Sequence, residues 1–131
     1  KSLGADEVLI STDPDAMEKE LGQFDFILNT IPVNHSFDPY MDLLKVDGTM
    51  CVVGAPETFS INVGQLVFGR KTLAGSLIGG IKETQEMLNF CGEKQIVSEV
   101  EMIQMNDINA AYKRLVKSDV KYRFVIDMKS L

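Results

Sequence analysis

Residues 24–30 read Phe-Asp-Phe-Ile-Leu-Asn-Thr, a short apolar run that stops abruptly at two small polar residues. Such a run is too short for a buried helix. Turn formers flank it, Gly22 on one side and Pro32 and Asn34 on the other, so it reads as a strand. Its near-continuous hydrophobicity predicts a parallel-sheet strand covered on both faces. Asn29, Thr30 and Ile31 then stand at its carboxyl end, the edge at which open α/β sheets bind ligands.

The rest of the chain repeats strand, turn and helix. Lys1 to Leu3 read as the last turn of a helix, with Gly4 just past its end, where glycine most easily takes a left-handed backbone. Glu7 to Ser11 is a predicted strand, and Asp13-Pro14-Asp15 leads into a helix over Ala16 to Leu21. Asp38 to Lys45 is predicted helical, with Pro39 at a permitted first-turn position. Thr49 to Val53 follows as a strand after the turn Asp47-Gly48. Ile61 to Phe68 reads as a short helix carrying Leu66, Val67 and Phe68 inward, and Thr72 to Ile78 as a fourth strand. Beyond it come an amphipathic helix from Lys82 with Ile81, Met87, Leu88 and Cys91 on its buried side, and a strand Val100 to Ile103. A capped helix from Asn106 and a final strand Tyr122 to Met128 end the chain. Strands alternating with helices imply parallel pairing.

Composition narrows the function. A formal charge of −6 argues against nucleic acid as a partner, which requires clustered Lys and Arg. No run approaches the roughly 18 apolar residues of a membrane span, and no signal peptide opens the chain, so a cytoplasmic location is expected. Cys51 and Cys91 have no Cys or His at metal-ligand spacing and read as core thiols, and the seven Met residues read as core filler. The opening Lys1-Ser-Leu-Gly-Ala-Asp carries no initiator Met, so the chain is expected to start inside a larger fold.

Three predicted strands end in small residues: Asn29-Thr30, Gly54-Ala55 and Ser76 to Gly80. Any one of these can be a tight turn. Together, on one edge of a parallel sheet, they favour a site where a flat ligand meets backbone amides. Arg123 admits two readings, a solvated residue guarding a sheet edge or a fork for a phosphate. His35 sits in a Pro-containing loop without a recognisable nucleophile beside it and reads as structural or solvent-exposed.

The chain resembles the C-terminal part of a zinc-dependent medium-chain alcohol dehydrogenase of the cinnamyl-alcohol-dehydrogenase-like branch. The segments that carry the likeness are Leu-Gly-Ala-Asp-Glu-Val (3–8), residues 24–30, Leu-Leu-Lys-Val-Asp-Gly-Thr-Met (43–50) and Val-Gly-Ala-Pro (53–56). They continue with Ala-Gly-Ser-Leu-Ile-Gly-Gly (74–80), Glu-Thr-Gln-Glu-Met-Leu-Asn-Phe-Cys (83–91) and Val-Lys-Tyr-Arg-Phe-Val-Ile-Asp (120–127). The resemblance implies an α/β fold: a partial Rossmann domain, a doubly wound parallel sheet lacking its first βαβ unit. Residues 1–80 form its second portion, and residues 81–131 return to a catalytic domain that lies outside the chain. It implies hydride transfer between primary alcohols or aldehydes and NADP(H), with catalytic zinc in the full-length enzyme only and the fragment alone inactive.

By the same resemblance, Thr30, Ile31, Val53, Gly54, Ala55, Ser76, Leu77 and Ile78 lie along the cofactor, and Arg123 meets its pyrophosphate. A homodimer through the 72–79 strand is also implied. No Gly-x-Gly-x-x-Gly and no zinc-ligand set occurs in the sequence, so no catalytic or metal residue is assigned. The alternatives are a stand-alone nucleotide-binding or regulatory module without catalysis, and a zinc-independent, quinone-reductase-like member of the same superfamily. Unpaired strands and apolar surface predict poor stability or association of the fragment.

Overall fold

The computed structural model describes residues 3–131, which divide into two compact units, one ending at Ile78 and the other spanning Gly79–Leu131. The predicted helix end falls largely on residues 1 and 2, outside the described residues. Gly4, at its exit, takes φ 94°, in the left-handed region expected of it.

The first unit is built on three parallel strands, β1 (Phe24–Asn29), β2 (Leu44–Val52) and β3 (Thr72–Gly75), in that spatial order. Helix α1 (Pro14–Lys19) precedes them, capped by the Asp13 carboxylate, which accepts the Ala16 N–H at 3.1 Å. Helices α2 (Asp38–Met41) and α3 (Val63–Gly69) supply the two crossovers. Register sets the core. Ile27 lies opposite Met50 and Met50 opposite Leu73, a row across the sheet onto which Phe37, Met41 and Leu44 pack. Phe37, Met41 and Met50 are fully buried.

That face is the covered one, although Ile27 and Leu73 on it are only partly buried. Phe26 and Leu28, alternating with Ile27, stay 56% and 54% exposed, so the expectation of a strand buried on both faces is corrected to one. Glu7 to Ser11 forms no strand, because no neighbour among the described residues offers it a ladder, and Val8 and Ile10 remain exposed. The helix predicted over Asp38 to Lys45 stops at Met41. Leu44 instead pairs with Phe24, and its burial against the core outweighs its helical propensity. Of the three α3 residues predicted inward, only Leu66 packs against the core, whereas Val67 and Phe68 face out at 64% and 90% exposed.

Between the pairs Phe24–Leu44 and Phe26–Thr49, β2 accommodates extra residues in a bulge at the predicted Asp47-Gly48 turn. Asp47 there takes φ 66°, and the Arg70 Nε donates to its carboxylate at 2.9 Å, tying the bulge to the turn that ends α3. At the other end of the sheet the chains close up. The Asn29 carbonyl accepts from both Val53 N–H (2.9 Å) and Gly54 N–H (3.1 Å). A Cβ on Gly54 would strike the Ile31 carbonyl and lie 2.9 Å from the Thr30 carbonyl carbon.

The second unit pairs β4 (Glu101–Gln104) with β5 (Phe124–Asp127) in parallel, joined through a 3-10 turn at Met105–Asp107 and helix α5 (Ile108–Val116). Ala111 is buried, while Tyr112 and Leu115 on the same helix are 64% and 48% exposed. The Arg114 guanidinium lies over the Phe124 ring, 4.9 Å from its centroid, and pairs with Glu101 at 2.8 Å and Asp119 at 3.0 Å. Helix α4 (Ile81–Lys94) is amphipathic as read, but Ile81 is 92% exposed and Met87 and Leu88 about half exposed. Its apolar side meets too little of the described chain to be buried.

Three measurements follow from this packing. Met50→Ala should cost about 2–5 kcal/mol in urea unfolding, the range for emptying a filled core position, whereas Val67→Ala should stay within about 0.5 kcal/mol. Gly54→Ala should destabilise by about 1–3 kcal/mol because backbone must move to admit the methyl group. Gly75→Ala is the control, since its Cβ would meet only the Val52 carbonyl oxygen at 3.8 Å. The third concerns acid. The Lys121 N–H, then the Arg114 guanidinium, hold the Glu101 carboxyl below the ordinary carboxylate range. A carboxyl whose pKa is lower folded than unfolded stabilises fully above its unfolded value and loses that contribution as pH falls through the folded one. Glu101→Gln should therefore flatten the acid limb of a stability-against-pH curve, measured by thermal unfolding from neutral pH downward.

Candidate functional site

The three strand ends of the first unit stand level. Asn29 is in register with Val52, and Val52 with Gly75, so the residues that follow each strand share one edge of the sheet. This is the carboxyl edge of all three parallel strands. Thr30 and Ile31 follow β1, Val53, Gly54 and Ala55 follow β2, and Ser76 follows β3, with its N–H donating to the Val52 carbonyl at 3.1 Å. Thr30, Ala55 and Ser76 are exposed, and Ile31 and Val53 are about 36% and 40% exposed. Leu77 and Ile78 run on past the ladder, 90% and 89% exposed.

Gly54 is what makes this edge flush. Without a side chain it lies directly against the Thr30–Ile31 backbone, so the ends of β1 and β2 form a continuous surface. A flat ligand could lie along such a surface. Arg123 belongs to the second unit, immediately before β5, where its carbonyl accepts the Glu101 N–H at 2.9 Å. Its side chain is exposed and, among the described residues, has no carboxylate partner, unlike Arg70 and Arg114.

One interaction at this edge escaped the reading from sequence, the pairing of Asn29 with His35. Asn29 is only 6% exposed, and its side-chain amide is hydrogen-bonded on both sides. Its Oδ1 accepts the Ile31 N–H at 3.0 Å, and its Nδ2 lies 2.9 Å from His35 Nε2. His35 Nδ1 lies 2.7 Å from the Val33 carbonyl oxygen, and its ring packs on Phe37 and Tyr40 at centroid distances of 5.0 and 5.9 Å. The histidine is thus half-buried and partnered. The available signal was an Asn closing an apolar run, with four hydrogen-bonding sites to satisfy and the chain's one His six positions on.

Metal chemistry finds no home among these side chains. The described residues contain no group of three or more His, Cys, Asp or Glu that could hold a metal ion. Cys51 and Cys91 are free and partly buried rather than sealed in a core.

Residues 1–93 match the family model for zinc-binding dehydrogenases. The chain is 54% identical over 133 residues to the aldehyde reductase YahK of Escherichia coli K12, covering 100% of this chain and 38% of that protein. Among solved structures it is similar to a cinnamyl alcohol dehydrogenase, SbCAD4, of Sorghum bicolor, with TM-score 0.84 and 40% identity over 96% of this chain and 36% of that one. A cinnamyl alcohol dehydrogenase of Helicobacter pylori complexed with NADP(H) aligns with TM-score 0.68 and 37% identity, over 86% of this chain and 34% of that one.

The chain thus spans little more than a third of the length of these relatives. Plant cinnamyl alcohol dehydrogenases and mannitol dehydrogenases match it equally, at 50% identity, so the likeness belongs to the family at large and is not confined to the cinnamyl-alcohol branch. A parallel α/β sheet with level strand ends and a family match over most of the sequence agree: the chain belongs to the zinc-binding dehydrogenase family.

Proposed function

We propose that this chain supplies part of the cofactor site of an oxidoreductase that interconverts primary alcohols and aldehydes with NADP(H). The observation that carries the reading is the level, flush carboxyl edge formed by Thr30, Ile31, Val53, Gly54, Ala55 and Ser76. The fit is one of shape and backbone polarity, and Leu77 and Ile78 extend it with apolar surface. A nicotinamide ring accepts or donates hydride. Residues at this edge would hold it in one orientation and exclude water from its faces. NADP(H) is preferred over NAD(H) because the Helicobacter pylori relative is described with it.

Arg123 is assigned to the cofactor pyrophosphate. Its guanidinium has no carboxylate partner among the described residues, and its planar fork matches phosphate oxygens. Catalytic zinc belongs to the whole protein in this reading, and no step through it is derived from the residues described. Residues 1–80 serve as the second portion of the cofactor domain, and residues 81–131 lead back to the catalytic domain. The open edge of β3 with Leu77 and Ile78 is the proposed homodimer contact. No described helix is long and apolar enough to cross a membrane, and a cytoplasmic location is proposed with the rest.

The test is Arg123→Ala in the full-length protein. Loss of one charged hydrogen bond should weaken NADPH binding by about 1.5–3 kcal/mol, read by fluorescence titration, with the melting temperature little changed. An unaltered dissociation constant would remove Arg123 from the site. A wild-type protein that bound neither NADPH nor NADH would end the reading.

A further inference from the structure

We infer that His35 is a positioning residue for this cofactor edge, acting through the Asn29 amide on the Ile31 backbone; the inference rests on the cofactor reading above. The argument is one of donors and acceptors. The Val33 carbonyl can only accept, so His35 Nδ1, 2.7 Å away, must carry a proton. In the neutral ring Nε2 is then bare and accepts from Asn29 Nδ2 at 2.9 Å. That in turn aims Asn29 Oδ1 at the Ile31 N–H, 3.0 Å away. Flipping the amide would set its NH2 against the Ile31 N–H, two donors face to face. Only one arrangement satisfies all four groups.

The outcome is a fixed path for residues 29–31. The Asn29 carbonyl is held by Val53 and Gly54, its side chain by His35, and the Ile31 N–H by that side chain. The Thr30–Ile31 backbone is therefore pressed onto Gly54 from one side and tethered from the other. Burial sharpens the requirement, because an Asn at 6% exposure cannot exchange a lost partner for bulk water. His35 itself is a tether in this scheme and exchanges no proton with substrate.

Two substitutions in the full-length protein separate hydrogen bonding from packing. His35→Phe keeps a ring against Phe37 and Tyr40 but loses both hydrogen bonds, whereas His35→Gln retains one donor and one acceptor. His35→Phe should raise the NADPH dissociation constant about tenfold and speed hydrogen exchange at the Ile31 amide, while His35→Gln should stay within about threefold of wild type. Wild-type affinity in His35→Phe, or an equal loss in both variants, would overturn the inference while leaving the cofactor reading intact. A wild-type protein with no affinity for either dinucleotide would overturn the cofactor reading and this inference with it. Imidazole nitrogen NMR of the wild type needs no variant to fold: a proton on Nδ1 and a bare Nε2 are expected, and a proton on Nε2 would refute the relay.

Discussion

Burial of the row Ile27, Met50 and Leu73 under Phe37, Met41 and Leu44 is the constraint on which the first unit depends. Each residue of the row comes from a different strand, so their contact fixes both registers of the sheet together. Apolar area of this kind is the main favourable term available to a small sheet. The helices that deliver Phe37, Met41 and Leu66 are short, at four and seven residues, and are held by tertiary contacts rather than by propensity. The Gln65 amide donates to the Asp42 carboxylate at 2.6 Å and Lys71 to the Met41 carbonyl at 2.6 Å, so residues of and after α3 secure α2.

The candidate site is a by-product of that same register. Once Met50 faces Ile27 and Leu73, Val52 must face Asn29 and Gly75, and the three chains leave the sheet at one level. Local chemistry then finishes the edge: glycine at 54 permits contact between two chain exits, and the Asn29 side chain, oriented by His35, holds one of them. A core interaction and the candidate binding edge are thus separated by only two residues along each strand.

What could be read in advance follows from the range of each interaction. The strand at Phe24–Asn29, the helix capped by Asp13 and the amphipathic helix after Gly80 were all legible because their signals are local: an apolar run, a cap residue, a helical period. The level strand ends were legible too, since small residues mark each one. Leu44 misled because Leu is a good helix former, and only Phe24, twenty positions away, recruits it into a strand. Phe68 and Ile81 carry apolar side chains that periodicity turns inward, yet in the structure they lie exposed. The Asn29–His35 pair was missed for another reason. Neither residue is unusual alone, and only the fold of Pro32 to Ser36 brings the two side chains within bonding distance.

The bulge in β2 bears on how the length of this chain can vary. Residues 45–48 stand against the single residue Asp25, outside the regular ladder, and their departure is absorbed before Thr49. Lengthening or shortening the chain within the exposed residues 45–47 would be taken up by the bulge and leave the Ile27–Met50–Leu73 row where it is. A single residue added between Thr49 and Met50 would turn Met50 to the opposite face and carry the rest of the strand with it. Homologous chains should therefore differ in length at the first place and keep a constant count at the second.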